Sequence, residues 1–363
     1  MTRHNGPADA AGSAVGLRCD ADPATGVGHL LRCLALAEEL LGRGCRVELL
    51  GEVATVPWAA GEVRRLGITR HPGPGTPAEL VAAARRLRLD AVVVDSYRLD
   101  PGCAGALRDG GFVVLAIVDG DPRGQRADLY LDQNLDAEVA EVAVAAGAVR
   151  LAGLEYLLLR DSVRRLRPAG PEAAGPEAAG PEAPRVVAFF GGTDPAGAAP
   201  VLLELLAATG VPARVTVVTA NSGLAGQAAA VRPGAGQRFD VVPPTLELPT
   251  LLAGADLAIS AAGTSTWELL CLGVCPALVW VAPNQRLGYD RTVARDVAVG
   301  LGGVAELRDG GVAADAAVRA LRAVLRDPRR RADIAARGRA IVDGAGRVRV
   351  ADALLARIGR HPS

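Results

Sequence analysis

Lysine is missing altogether: across 363 residues every one of the 40 basic side chains is an arginine. That removes Schiff-base chemistry and the lysine of a phosphate-binding P-loop from consideration. Aromatic residues make up only 3% of the chain and Met occurs once, so any core must be built from Ala, Val and Leu. No apolar run approaches the roughly 20 residues that span a bilayer. The first 13 residues, Met1 to Ser13, are small and polar and carry no apolar signal-peptide core. The six cysteines, at 19, 33, 45, 103, 271 and 275, form no C-x-x-C pair, so a zinc site is not expected. Several sit in apolar runs, where a thiol behaves as a small hydrophobe, and reduced thiols fit a cytoplasmic protein. Charge of either sign is not in excess: 40 acidic residues balance the 40 basic ones. The longest basic tract is Arg329–Arg331, which reads as the solvated face of a helix. Neither nucleic acid nor a membrane is expected as a partner.

What is present is apolar mass in a repeating order. Half the residues are hydrophobic, and the length suits two domains at about 150 residues each. Ala14–Arg18, Arg46–Leu50, Ala91–Val94 and Phe112–Val118 are short apolar runs of the kind buried on both faces of a parallel sheet. Between the first two, His29–Leu41 has helical spacing, with Leu30, Leu34, Ala37 and Leu41 on one face. The alternation stops at 161–184, where Gly170–Ala174 repeats as Gly175–Ala179 and again in part as Gly180–Ala183. A Pro/Gly-rich repeat cannot hold a helix or bury a core and reads as a linker. The alternation then restarts with Arg185–Phe190, Arg214–Thr219, Phe239–Val242, Asp256–Ser260 and Ala277–Val281 as strands, and Ala313–Leu325 as helix. The expected fold class is α/β: two Rossmann-like, doubly wound domains facing across a cleft that holds the active site. The expected boundaries are a disordered tail over 1–13, a first domain over 14–160, the linker over 161–184, and a second domain over 185–363.

Chemistry concentrates at the ends of the apolar runs. Gly26-Val27-Gly28-His29 lies between a strand and a helix start, where glycines admit a ligand close to the backbone and the helix offers free N–H groups to an anion. It is not the dinucleotide fingerprint, because Leu31 stands where the third glycine belongs. His29 is one of four histidines; His4 and His361 lie at the chain ends and His71 in a Pro/Gly-rich stretch. A base working near neutral pH is most economically a histidine, so His29 is the candidate, against the plainer reading of a helix-starting His bonded to its own loop. Arg18 and Asp20 end the first run and either face the ligand or brace the loop as an ion pair. Tyr97, after Asp95-Ser96, either donates to substrate or caps the strand. Asp119-Gly120-Asp121 offers acids to orient a base, or simply makes a turn. In the second half, Gly191-Gly192-Thr193-Asp194 is a second phosphate-facing loop, with Asp194 as a helix N-cap the plainer reading. Ser260 leads into Gly263-Thr264-Ser265-Thr266, whose hydroxyls and N–H groups suit a diphosphate, and Glu268 suits ribose hydroxyls; a capping arrangement between them is the alternative. Asn284 and Gln285 open the next helix and either reach a sugar or are ordinary polar helix-start residues.

Arg18-Cys19-Asp20, Gly26-Val27-Gly28-His29, Arg32–Ala37, Asp95-Ser96-Tyr97, Asp132-Gln133-Asn134, Gly153–Tyr156 with Arg160, Gly191–Asp194, Ser260–Glu268 and Asn284-Gln285 occur in that order. Together they resemble the UDP-2,4-diacetamido-2,4,6-trideoxy-β-L-altropyranose hydrolases of pseudaminic acid biosynthesis, with relatives described as spore-coat polysaccharide proteins. The second-half block is shared more widely with GT-B glycosyltransferases of the MurG type. The resemblance implies a metal-independent hydrolase with no cofactor. Water attacks the anomeric carbon with inversion and UDP leaves. It implies His29 as general base, and Arg18, Asp20, Gly28, Tyr97, Asn284 and Gln285 about the sugar. It implies Gly192, Ser260, Gly263, Thr264, Ser265 and Glu268 about UDP, with Glu268 at the ribose. Two positions depart from the family: Pro283 stands where an Asp often precedes the Asn-Gln pair, and Asp119-Gly120-Asp121 replaces adjacent acids. Glycosyl transfer on the same fold, with an acceptor hydroxyl in place of water, is the alternative function.

Overall fold

The computed structural model describes residues 12–21, 27–53, 57–170, 183–191 and 194–360. Most of the expected tail, the glycine Gly26, Gly192 and nearly all of the repeat lie outside the described residues. The chain divides into two compact units, one of residues 1–161 with 344–363 and one of residues 162–343.

The first unit is built on seven parallel strands: β1 (Ala14–Cys19), β2 (Arg46–Leu50), β3 (Thr69–His71), β4 (Ala91–Asp95), β5 (Val113–Ile117), β6 (Leu129–Asp132) and β7 (Val149–Ala152). Their order is β3-β2-β1-β4-β5-β6-β7. The winding reverses between β1 and β4, which opens a crevice at their carboxyl ends. Both faces of the sheet are buried, as the unbroken apolar runs require. Val15, Leu17, Val93 and Leu115 pack with Leu30, Leu34 and Leu40 of the first helix, α1 (Gly28–Gly42). Val92, Val94 and Val114 pack on the other face with Leu80, Leu107 and Phe112. Tyr130 is the one aromatic ring among the largest fully buried side chains; its hydroxyl donates to the Gln125 carbonyl at 2.7 Å and accepts from the Ala127 N–H at 2.9 Å.

The second unit has six parallel strands: β8 (Arg185–Phe189), β9 (Ala213–Val218), β10 (Gln237–Val242), β11 (Leu257–Ala261), β12 (Cys275–Trp280) and β13 (Val299–Gly303). Their order is β10-β9-β8-β11-β12-β13, with the reversal between β8 and β11. β13 has no counterpart in the sequence expectation, because its run Val-Gly-Leu-Gly-Gly has little strand propensity. The glycines are there for space. A Cβ on Gly303 would stand 2.3 Å from the Trp280 ring, and one on Gly300 would stand 2.5 Å from the Tyr289 hydroxyl.

Two boundaries differ from the sequence expectation. The final helix, Gly346–Ile358, belongs to the first unit, not the second. Its Val350, Ala351 and Leu354 join the core beneath α1. Gly346 sits so close to the backbone of Leu157 that a Cβ would meet it at 2.3 Å. Buried Arg347 donates to Glu38 at 2.8 Å and to Asp161 at 2.5 Å. An amphipathic stripe says that a helix will be buried, not which core will receive it. Likewise residues 162–170, expected as linker, are part of the second unit, where Arg167 donates to the carbonyls of Cys271 and Arg339 at 3.2 and 3.0 Å.

Candidate active site

The strongest concentration of chemistry is at the carboxyl edge of the first sheet. His29 and Arg32 stand one turn apart on α1 and so share a face. Asp95 closes β4 opposite Cys19 of β1, and Asp119 follows β5 by two residues. His29 Nδ1 lies 2.5 Å from Asp95 Oδ1. Arg32 donates to Asp95 twice, through Nε and Nη2 at 2.6 Å each. The same guanidinium reaches Asp119 at 3.1 and 3.2 Å. Arg32 is 5% exposed and Asp95 1%, so the pair is far from bulk water.

Burial opposes the charge on Asp95, yet the Arg32 charge and the hydrogen bonds from Arg32 and His29 outweigh it and hold the carboxyl below its ordinary range. Burial opposes the charge on Asp119 too; Arg32, then bonds from Arg32, Tyr97 and Asn134, hold it well below. Arg32 in turn loses solvation but is held more firmly cationic by its two carboxylates. With Asp95 ionised, the 2.5 Å contact is attractive only if Nδ1 of His29 carries a proton. Neutral imidazole then has its lone pair on Nε2, which makes no hydrogen bond among the described residues. Two carboxylates face one guanidinium at this edge.

Tyr97 stands edge-on to His29, with ring centres 4.8 Å apart and planes at 87°. Its hydroxyl donates to Asp119, and burial with the neighbouring Asp119 charge pushes the phenol well above its usual range. Tyr97 is therefore a donor and not a base, and at 51% exposure it is open to a ligand. Asn134 closes the rim by donating to Asp119 at 2.9 Å and to Asp132 at 2.8 Å. The order of groups is thus His29, Asp95, Arg32, Asp119 and Tyr97, drawn from the ends of β4 and β5 and the start of α1. Gly28 is the first residue of α1, beside His29.

Arg18 and Asp20 are paired with each other. Arg18 Nη1 donates to Asp20 at 2.7 Å, and its Nε donates to the Pro74 carbonyl at 2.9 Å. Asp20 also accepts from the Glu52 N–H at 3.0 Å. This is the loop brace of the two readings, joining the ends of β1 and β2 to residue 74. His71 ends β3 and its Nε2 lies 2.9 Å from Glu48.

The second unit presents two loops at its own switch point. After β8, Asp194 adopts φ 47° and its two carboxylate oxygens accept from the N–H groups of Ala198 and Ala199 at 2.8 and 2.9 Å. It thereby satisfies the first two N–H groups of the helix Ala198–Thr209 from outside the helix, whose N-cap residue is Gly197 and not the expected Asp194. After β11, buried Ser260 leads to Gly263 and the helix Ser265–Leu272. No side-chain cap hydrogen bond is made at Thr264. Half-buried Glu268 lies one turn in. Gln285 accepts from the Val281 N–H at 2.9 Å, and a Cβ on Gly263 would stand 3.7 Å from its Nε2, so the loops after β11 and β12 meet there. Asn284 is exposed beside it.

Arg32 entered the sequence reading only as part of a motif, and Arg123 not at all. The i, i+3 spacing from His29 was a usable signal for the first; nothing marks the second until the loops are folded.

No protein-family model matches the chain, and no curated protein matches it. Solved structures do match in fold. A crystal structure of Acinetobacter baumannii MurG aligns over 95% of this chain and 99% of its own, at TM-score 0.71 and 16% identity. LpCGTa in complex with UDP aligns over 96% and 100%, at 0.63 and 16%. Anabaena HepE in complex with UDP and glucose aligns over 95% and 98%, at 0.56 and 15%. These likenesses show the fold, two Rossmann-like α/β units each on a parallel sheet, as in the GT-B glycosyltransferase structures. Among the described residues, no helix is long and apolar enough to cross a membrane.

Proposed function

We propose that this protein is an inverting glycosyltransferase that uses a UDP-sugar donor. The observation that carries the reading is the His29–Asp95 contact of 2.5 Å with Nε2 making no hydrogen bond among the described residues, at a sheet edge where α/β proteins bind ligands. His29 Nε2 takes the proton of an acceptor hydroxyl. The acceptor oxygen forms its bond to the anomeric carbon as the bond from that carbon to the diphosphate oxygen breaks. The electron pair leaves on UDP. Asp95 holds the tautomer and the ring orientation, while Arg32 keeps Asp95 ionised. In the second unit, the N-terminus of the helix Ser265–Leu272 with Gly263, Thr264 and Ser265 receives the diphosphate. Glu268 receives the ribose hydroxyls. Gly192, Ser260, Asn284 and Gln285 are the further ligand contacts of this reading. The UDP found with two of the similar folds supports the choice of nucleotide.

A second reading keeps every residue in its role and replaces the acceptor by water. It is favoured by the run Gly28-His29-Leu30-Leu31-Arg32-Cys33, the part of the chain most like the diacetamido-sugar hydrolases. The two separate in one assay. UDP release from a panel of UDP-sugars is followed with and without a panel of hydroxyl acceptors. Transfer gives a glycosylated product and release that depends on the acceptor; hydrolysis gives free sugar and release that does not. No UDP release from any donor under either condition would end both.

A further inference from the structure

We infer that Arg123 is a positioning residue for the base: it clips down the loop that carries Tyr97 and so fixes the ring against which His29 is set. The inference rests on the reading of His29 as base. The loop after β4 is exposed at Tyr97 and Arg98 and sits at the mouth of the site, so something must hold it. Arg123 comes from the loop after β5. Its Nη1 donates to the carbonyl of Tyr97 at 2.6 Å and its Nη2 to the carbonyl of Ser96 at 2.5 Å. The same guanidinium lies 5.3 Å from the centre of the Tyr97 ring. One side chain therefore satisfies two consecutive carbonyls and lies over the ring, while the ring stands perpendicular to that of His29 and its hydroxyl meets Asp119.

The backbone of Arg123 points the same way. Its φ is +51°, a left-handed conformation in which an arginine is strained and a glycine is not. Asp121 holds the turn by accepting from the Arg123 N–H at 2.8 Å. Gly124 follows at φ +73°. A turn needing only that conformation is better served by glycine; an arginine there is kept for where its side chain goes. Arg123→Gly therefore separates the two roles: it relieves the backbone and deletes the clip.

The test has two arms. Hydrogen exchange on the full chain, without any ligand, reads the clip directly. In Arg123→Gly the amides of residues 96–99 exchange about tenfold faster, while the strand amides of β4 and the melting temperature hold. Turnover with the UDP-sugar that the panel selects then falls by about tenfold in kcat, the scale of a misplaced catalytic group, with UDP affinity unchanged by calorimetry. Arg123→Lys, able to reach one carbonyl at a time, recovers part of both. Unchanged exchange at 96–99 overturns the inference whatever the enzyme does. Faster exchange with unchanged kcat overturns its catalytic half. If wild type shows no turnover, the base reading fails by itself, and the exchange arm still decides whether Arg123 holds the loop.

Discussion

His29 can act as a base only if Nε2 carries the lone pair, and three side chains around it bring that about: Asp95 accepts the hydrogen bond of Nδ1–H, Arg32 keeps Asp95 charged, and Tyr97 walls the ring. His29→Asn keeps size and some hydrogen bonding but cannot accept the proton. Turnover is expected to fall by about 10²–10⁴, with UDP affinity and melting temperature nearly unchanged; near-normal turnover would remove His29 from the base role. Asp119 gives a pH signature in stability. Its carboxyl is held well below its ordinary range, against burial, by Arg32 and by bonds from Arg32, Tyr97 and Asn134. A depressed folded pKa means stability that is present above the unfolded pKa and lost as pH falls through the folded one. Wild type is thus expected to exceed Asp119→Asn in unfolding free energy at pH 6, and the gap to narrow below about pH 4, the ordinary carboxylate range. Denaturant melts at a series of pH values check it; a gap constant from pH 6 to pH 3 would contradict the ion-pair account.

Helix starts do most of the positional work at the next scale up. Two switch-point helices begin in different ways, and the difference sorts structure from function. The first two N–H groups of the helix Ala198–Thr209 donate to Asp194, which lies before its N-cap Gly197 and is almost wholly buried. Asp194→Ala is expected to cost about 1 kcal/mol, the usual worth of a side chain that bonds the first N–H groups of a helix, read as a lower melting temperature with UDP affinity intact. The helix Ser265–Leu272 has no side-chain cap hydrogen bond at Thr264, and its first turn carries hydroxyls and Glu268. Glu268→Ala is expected to weaken UDP binding by about 1–3 kcal/mol, the cost of leaving polar partners unmatched. Calorimetry showing equal affinity would take Glu268 out of the nucleotide site. Strand β13 shows the converse case, where the element exists because its residues are small enough to lie under Trp280 and Tyr289.

At the scale of the molecule, the chain enters the second unit at residue 162 and returns to the first at 344. The last helix is therefore a working part of the first unit. Truncation after Asp343 removes Val350, Ala351 and Leu354 from the core under α1 and leaves Glu38 and Asp161 without Arg347. The first unit is expected to lose its cooperative melt, while the fragment 162–343 keeps its own and binds UDP. A truncated chain that melted as the full one does would show the helix to be dispensable.

The sequence by itself settled the α/β class, both βα repeats and most of the strands, because runs buried on two faces are continuous and apolar and need no partner to be recognised. It also singled out His29, since a histidine beside a glycine at a strand-to-helix junction is uncommon and chemically pointed. It left Arg18, Asp20, Asp119 and Asp194 with two readings each, and gave Asp95 and Arg32 no role of their own. Arg18 and Asp20 braced a loop, Asp194 bonded the first N–H groups of a helix, and Asp95 and Asp119 gathered around Arg32; all are charged residues at strand ends, alike in one dimension. Only the tertiary structure separates them, because a side chain's partner depends on which strands lie side by side. The order β1-β4-β5 brings residues 29, 95 and 119 together across long stretches of chain, and no local pattern encodes that order. The same holds for the final helix, whose apolar stripe fits either core until packing against Leu157 selects one.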